Sequence, residues 1–208
     1  MAIITLTTDF GGSDYYVGAM KGILYQIAPA ATVVDVTHGV PPGNVLAAAL
    51  VLREIWRTFP PKTIHVAVVD PGVGSERSIL LANYANHLFL VPDNGLLTLI
   101  HQAYRPEQVN QVTNTALFCR PVSPTFHGRD IFAPVAAHLA KGVSPDQVGP
   151  RTEMMRLLEI PVPHATPDGG IAGRILHVDH FGNLITNIPF EQIQHFAAQG
   201  RIPTVYLD

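Results

Sequence analysis

Residues 2–8 are apolar or β-branched at both odd and even positions, the pattern of a strand covered on both faces. The period then lengthens. Residues 15–27 read as a helix, with Ser13 or Asp14 as its cap and Pro29 as its end. Residues 32–37 predict a second strand, Pro41-Pro42-Gly43-Asn44 a turn, and 45–59 a strongly apolar helix. A third strand is expected at 63–69, and a further pair at 79–82 and 87–91 around a polar turn. Short helices follow at 96–104 and 131–139, the latter entered from the loop His127-Gly128-Arg129-Asp130. Alternation of strand and helix predicts an α/β fold with a mostly parallel sheet and helices on both faces.

The pattern changes near residue 150. Pro161-Val162-Pro163 and Pro167-Asp168-Gly169-Gly170 read as linker chemistry. Short strand-like runs at 173–178, 184–188 and 203–207 enclose one weak helix, the start of a small β domain. The expected division is therefore an α/β catalytic domain over 1–150, a linker over 151–170, and a C-terminal β domain over 171–208. With so few strands that last domain is expected to be an incomplete β-barrel.

Composition narrows the class. Of 208 residues, 47% are hydrophobic and only 14% charged, against about 25% in an average domain. So little charge leaves surface to be covered in an oligomer or turned into one large core. A net charge of −3 offers no basic field for nucleic acid or an anionic membrane. Cys119 is the single cysteine, which excludes a disulfide framework and suits a reducing compartment. The N-terminus has no basic region and meets Asp9 too early for a signal peptide, and no apolar run reaches membrane-spanning length. A soluble cytoplasmic protein is expected.

Three motifs carry candidate chemistry, each just past an expected strand: Thr8-Asp9-Phe10-Gly11-Gly12, Val69-Asp70-Pro71-Gly72-Val73-Gly74 leading to Arg77, and Phe126-His127-Gly128-Arg129-Asp130. Open α/β sheets bind ligands at the carboxyl ends of their strands, so these loops can meet in one pocket. Each also has a plain structural reading. Gly11-Gly12 suits a tight turn with Asp9 satisfying backbone amides. Asp70 at the end of a buried strand needs a partner, and Arg77 can return through the glycine loop to provide it. His127 precedes a glycine that lets a ligand approach the backbone, but nine other histidines dilute the signal, with His38 the nearest competitor. Asp9-Phe10-Gly11 with Arg129-Asp130 superficially suggests a kinase, yet the glycine loop and lysine that should come first are missing. Asp9, Asp70, His127 and Asp130 are plausible metal ligands without a recognised spacing, and no phosphate-binding glycine signature follows the first strand.

Taken with Pro92-Asp93-Asn94-Gly95-Leu96 and Phe181-Gly182-Asn183, these motifs make the chain resemble the S-adenosylmethionine hydroxide adenosyltransferases along its whole length. Those are S-adenosylmethionine hydrolases related to fluorinating and chlorinating enzymes. The resemblance implies hydrolysis of S-adenosyl-L-methionine to adenosine and L-methionine without a cofactor. It further implies an N-terminal α/β domain, a C-terminal β-barrel and a homotrimer with active sites at subunit interfaces. Asp70, Arg77 and His127 match the family's water-activating triad. Asp9 would hold the ribose diol, Asp14 and Asp179 would lie near the methionine ammonium, and Phe181 and Asn183 would meet adenosine from the neighbouring subunit. Fluorinating relatives place tyrosine where this chain has Asp70 and a tyrosine-serine pair at His127-Gly128; chlorinating ones share Gly128 but not the Asp70/His127 combination. Gly43 stands where relatives often carry an aromatic wall, and the family's barrel continues past the position of Asp208. A non-catalytic S-adenosylmethionine or adenosine binding module and a metal-dependent hydrolase are the alternatives.

Overall fold

The computed structural model describes residues 2–198, 200 and 202–206. They divide into two compact units, one reaching to Leu158 and the other starting at Glu159.

The first unit runs β1 (Ile3–Thr8), α1 (Tyr16–Ile27), β2 (Thr32–Thr37), α2 (Val45–Ile55), β3 (Ile64–Val68), β4 (Ile79–Tyr84), β5 (His87–Pro92), α3 (Thr98–Ala103), β6 (Gln108–Gln111) and α4 (Ala133–Ala140). Six strands form one sheet in the order β2-β1-β3-β5-β4-β6. The pairs β2-β1, β1-β3 and β3-β5 are parallel, whereas β5-β4 and β4-β6 are antiparallel. The sheet is thus parallel in one half and a meander in the other, because the two-residue connection between β4 and β5 permits only a hairpin. Ala85 and Asn86 take positive φ at its tip. Strand β6 escaped the sequence reading; Gln108-Val109-Asn110-Gln111 is a short polar edge with little hydrophobic pattern.

Alternation along the strands sorts the core into two layers. Ile4, Leu6, Ile64, Val66, Val68, Leu81 and Leu90 face Met20 and Leu24 of α1 and the buried side of α4. Ala67, Val69, Leu80, Ala82, Phe89 and Val91 face Ala48 and Leu52 of α2, Trp56 and Ile100 of α3. Helices therefore cover both faces, as the two-sided apolarity of β1 and β3 requires.

Three expectations about helix ends change. Neither Ser13 nor Asp14 caps α1: Tyr15 takes the cap position, already in right-handed helical geometry, with no side-chain bond. A side-chain cap needs extended backbone at that residue, so the carboxylate of Asp14 stays outside the helix. Asn44, expected only as a turn residue, caps α2 by accepting from the Ala47 N–H. The long apolar helix ends at Ile55 and tightens into a 3₁₀ turn, Trp56–Thr58.

In the second unit, β7 (His164–Ala165) pairs with β8 (Ile171–Ala172), and β9 (Ile175–Val178) with β10 (Leu184–Thr186), both antiparallel, before α5 (Phe190–Ala198). These are two two-stranded sheets. Residues 202–206 form no strand, against the expectation for 203–207, whose last residue lies outside the described set. The expected linker contains structure of its own. Thr152 N–H donates to Val109 and Leu158 N–H to Thr98 in the first unit, while 164–165 already belong to a hairpin. No helix among the described residues is long and apolar enough to cross a membrane.

Buried under α2 is a polar chain that sequence did not reveal. Thr5 Oγ1 lies 2.9 Å from His65 Nδ1, and His65 Nε2 lies 3.1 Å from His87 Nδ1. Burial, then the neighbouring His87, lowers the His65 pKa to about 3. The folded protein holds this ring neutral where the unfolded chain, titrating near 6.5, takes up a proton. Stability should therefore fall as pH drops from 6.5 towards 3, by at most about 1.4 kcal/mol per pH unit for this group. In His65→Gln, urea unfolding followed between pH 6.5 and about 4 should show a slope shallower by close to one proton. An unchanged slope would mean that the pair is protonated in the fold.

Candidate active site

The loops after β1 and β3 leave adjacent strands whose onward connections run in opposite directions, β1 to β2 on one side and β3 towards β4 on the other. A crevice opens at such a point, at the carboxyl ends of the strands. A cavity of about 300 Å3 lies there, lined among others by Asp9, Phe10, Tyr16, Asp70, Phe126, His127 and Gly128.

Asp70 follows Val69 at the end of β3, where the chain must turn. The Pro71–Ser75 segment folds back on itself, with Val73 N–H donating to Asp70 O and Ser75 N–H to Gly72 O. This return brings Arg77 onto Asp70. Arg77 Nε donates to Asp70 Oδ2 at 2.7 Å, Nη2 donates to the same oxygen, and Nη2 also contacts His127 Nδ1 at 2.9 Å. The Arg77 and Asp70 side chains are only 7% and 4% exposed, so the charges compensate each other in a poorly hydrated place. Asp70 Oδ1 is buried with no hydrogen-bond partner among the described residues.

His127 enters from the other side. Phe126 begins a segment in which Gly128–Phe132 forms a single π-helical turn before α4. Such wide turns occur often at functional sites because they re-aim side chains. Burial first, then the Arg77 guanidinium, lowers the His127 pKa against the opposing pull of Asp70 and Asp130. A guanidinium can only donate, so Nδ1 must accept, and the neutral ring carries its proton on Nε2.

Asp9 lies across the cavity. Its Oδ2 accepts from Gly43 N–H at 2.8 Å, tying the β1 loop to the turn before α2. His38 is structural. Its Nδ1 lies 2.8 Å from Thr8 Oγ1, its Nε2 lies 3.0 Å from Asp35 Oδ1, and its carbonyl accepts from Gly11 N–H. The Pro92-Asp93-Asn94-Gly95 motif braces the site without lining it: Asn94 Nδ2 donates to Val69 O, one residue before Asp70.

Not every expected residue converges. Asp14 is exposed and outside the cavity lining. Asp179, Phe181 and Asn183 belong to the second unit, where Asp179 closes its own turn by accepting from the N–H groups of Phe181 and Asn183 and from Asn183 Nδ2. Phe181 is 87% exposed at that tip. Asp130 is clamped by Arg129 Nε at 2.6 Å and Nη2 at 2.9 Å and by Ser123 N–H at 2.8 Å, which leaves it poorly placed as a metal ligand. No group of three or more His, Cys, Asp or Glu side chains among the described residues could hold a metal.

Sequence reasoning missed the aromatic wall. Phe10, Tyr15, Tyr16 and Phe126 cluster with ring centroids 4.8 to 6.3 Å apart. The consecutive tyrosines behind a glycine pair were the available signal, but helical periodicity absorbed them. Gly128 sits beneath this wall; a Cβ there would lie 3.2 Å from Met20 Sδ and from two Phe10 ring carbons.

The comparisons decide the family. The SAM hydroxide adenosyltransferase N-terminal domain matches residues 4–149, and its C-terminal domain matches residues 173–206. The chain belongs to the SAM hydroxide adenosyltransferase family. It is similar to the (R)-S-adenosyl-L-methionine hydrolase of Salinispora arenicola, 44% identical over 185 residues that cover 87% of this chain and 70% of that protein. A fluorinase of Actinopolyspora mzabensis is more distant, 28% identical with 92% of this chain and 73% of that protein covered. Among solved structures, an uncharacterized conserved protein from Thermotoga maritima superposes with a TM-score of 0.87 at 39% identity, covering 93% of this chain and 74% of that one.

The loop geometry that assembles this site yields a direct test. A Cβ on Gly74, whose φ is +79°, would sit 2.5 Å from the Pro124 carbonyl oxygen, whereas one on Gly12 would meet nothing within 4 Å. Gly74→Ala should cost about 2 kcal/mol of unfolding free energy, from strained φ plus the backbone clash. Gly12→Ala should stay within about 0.5 kcal/mol. Urea unfolding of both variants checks this, and equal costs would mean that the 70–77 loop is not seated on the 123–125 segment.

Proposed function

We propose that this protein is an S-adenosyl-L-methionine hydrolase releasing adenosine and L-methionine. The observation that carries the reading is the Asp70–Arg77–His127 constellation, with Asp70 and His127 on the cavity wall and Arg77 joining them, together with the family membership and the hydrolase relatives at 37–44% identity. The substrate's leaving group is a sulfonium, so it departs as a neutral thioether and needs no general acid. Attack by water or hydroxide on the 5′ carbon forms the carbon–oxygen bond as the carbon–sulfur bond breaks, its electron pair going to sulfur. What remains for the protein is to hold the nucleophile in line and assist loss of its proton.

Each member of the constellation then has a role. Arg77 supplies a fixed positive field that favours hydroxide over water. His127, protonated on Nε2, donates to the nucleophile's oxygen and orients it. Asp70 Oδ1, the partnerless acceptor, takes the proton and passes it to solvent. Because charge is annihilated as hydroxide meets sulfonium, a poorly hydrated cavity assists the step. Asp9 retains accepting capacity for the ribose diol beside its Gly43 bond. At Gly128 any side chain would press on Met20 and Phe10 beneath the aromatic wall. The further placements follow the family: Asp14 and Asp179 near the methionine ammonium, and Phe181 and Asn183 against adenosine from a neighbouring subunit of a homotrimer whose C-terminal parts build a barrel. Exposure of Phe181, Phe190, Val205 and Tyr206 supports burial of this unit in such an assembly. A cytoplasmic location and a reaction without cofactor complete the reading.

Incubation with S-adenosyl-L-methionine should yield adenosine and methionine in equal amounts, resolved by chromatography, and excess EDTA should leave the rate unchanged. Saturable binding without product would make the protein a binding module, and a loss restored by a divalent ion would make it a metalloenzyme. Arg77→Ala, His127→Ala and Asp70→Asn should each lower kcat by about 100-fold or more with smaller changes in KM. Wild-type rates in all three would remove the triad assignment. Since His127 is held neutral below its ordinary range, the acid limb of kcat should fall below pH 6.5. A limb centred above 6.5 would assign His127 the charged form.

A further inference from the structure

The loop that carries Asp9 is held by a residue outside the cavity lining. Thr8, the fully buried last residue of β1, accepts from Phe10 N–H at 3.3 Å through Oγ1, and His38 Nδ1 lies 2.8 Å from the same oxygen. The His38 carbonyl accepts from Gly11 N–H at 2.8 Å, and Val40 N–H donates to Thr8 O at 3.4 Å. Asp9 and Phe10, which line the cavity, are thus bracketed on both sides by bonds to His38. The other ring nitrogen, Nε2, lies 3.0 Å from Asp35 Oδ1 without hydrogen-bond alignment. A carboxylate that close keeps the ring proton on Nε2, so Nδ1 accepts from the Thr8 hydroxyl. Further along the same segment, Gly43 N–H meets Asp9 Oδ2 at 2.8 Å. Side-chain packing contributes little here, since a Cβ on Gly11 or Gly12 would meet nothing within 4 Å. Hydrogen bonds to the 38–43 segment therefore hold this loop.

We propose that His38 is a positioning residue for ribose recognition: through Thr8 it sets the direction of the Asp9 carboxylate, and with it the selection of substrates that carry a 2′-hydroxyl. This rests on the hydrolase reading and on Asp9 as the receptor of the ribose diol. A carboxylate that accepts from two adjacent hydroxyls must present its oxygens at the right angle to both, and hydrogen bonds weaken steeply when the donor is misaligned. Gly43 N–H fixes one oxygen of Asp9, but the backbone from which the side chain springs is fixed by Thr8. The link from His38 Nδ1 to the Thr8 hydroxyl is buried, so no solvent replaces it when it is cut.

The test compares S-adenosyl-L-methionine with its 2′-deoxy analogue, which keeps the sulfonium, the amino acid and the base. Wild-type kcat/KM should favour the ribose substrate by about tenfold or more, the scale of a charge-assisted hydrogen bond. His38→Gln, whose amide reaches the place of Nε2 but not that of Nδ1, should cut this preference by about threefold or more, mainly through KM of the ribose substrate. His38→Asn puts an amide oxygen at the place of Nδ1 and should restore the preference. Thr8→Val removes the hydroxyl at nearly constant volume and should match His38→Gln, and the double variant should be no worse than either, because both cut one link. A general folding defect lowers both substrates together and leaves the ratio intact. A ratio preserved in His38→Gln and Thr8→Val would therefore overturn the assignment, as would equal losses in His38→Asn and His38→Gln. Asp9→Asn is the control for the reading beneath it. An unchanged ratio there, with adenosine still released, would remove Asp9 as the diol receptor and this proposal with it. Release of nucleoside from neither substrate by the wild-type protein would defeat the hydrolase reading itself.

Discussion

A carboxylate at the end of a strand buried on both faces has to be neutralised where it stands, and Asp70 is that carboxylate. Its compensation cannot come from β3, where Val66, Ala67 and Val68 lead up to it and His65 is already engaged with Thr5 and His87. The 71–76 loop exists to bring Arg77 back onto it, and Gly72 and Gly74 permit the return, Gly74 because any side chain there would strike the Pro124 carbonyl. Once in place, Arg77 fixes His127 as a neutral acceptor at Nδ1. One electrostatic requirement thereby determines the loop, the tautomer of the histidine and the oxygen left partnerless on Asp70. Breaking such a buried pair costs several times what its net formation contributes, so the arrangement resists drift.

The sheet turns that local arrangement into a site. Strand β1 lies between β2 and β3, so the Asp9 loop and the Asp70 loop emerge side by side where the chain's direction of progress reverses. His38 and Gly43 tie the first of these loops to the elements after β2, and Asn94 ties the second to the loop after β5. The Gly43 tether fixes Asp9 itself, whereas Asn94 stays outside the cavity lining. Both hold backbone that would otherwise be an exposed and mobile connection. The π-helical turn at Gly128–Phe132 supplies the remaining wall and aims His127 and Arg129 from one short stretch of chain.

Much of this was legible in the residues. Two-sided apolarity placed β1 and β3 and therefore the covered sheet, and the need to partner Asp70 pointed to Arg77 before any coordinates. His127 was weaker, since a histidine among ten has no spacing to mark it, and only the match of the whole motif set raised it above His38. The antiparallel half of the sheet followed from a turn recognised as polar but not carried through to topology, and β6 had no hydrophobic signature at all. The aromatic wall stayed hidden because Tyr15, Tyr16, Phe10 and Phe126 come from two distant segments, and only the first three are close in sequence. In the second unit the runs expected at 173–178 and 184–188 contain the strands found at 175–178 and 184–186, but two-residue strands such as β7 and β8 lie below what periodicity can show.

The central claim is that Arg77, set between Asp70 and His127, directs solvent oxygen onto the 5′ carbon of a sulfonium substrate. Running the reaction in 18O-labelled water and weighing the products tests it in a single measurement. Adenosine should carry one solvent oxygen as its 5′ hydroxyl, with methionine unlabelled. Unlabelled adenosine, or 5′-methylthioadenosine in place of adenosine, would contradict it.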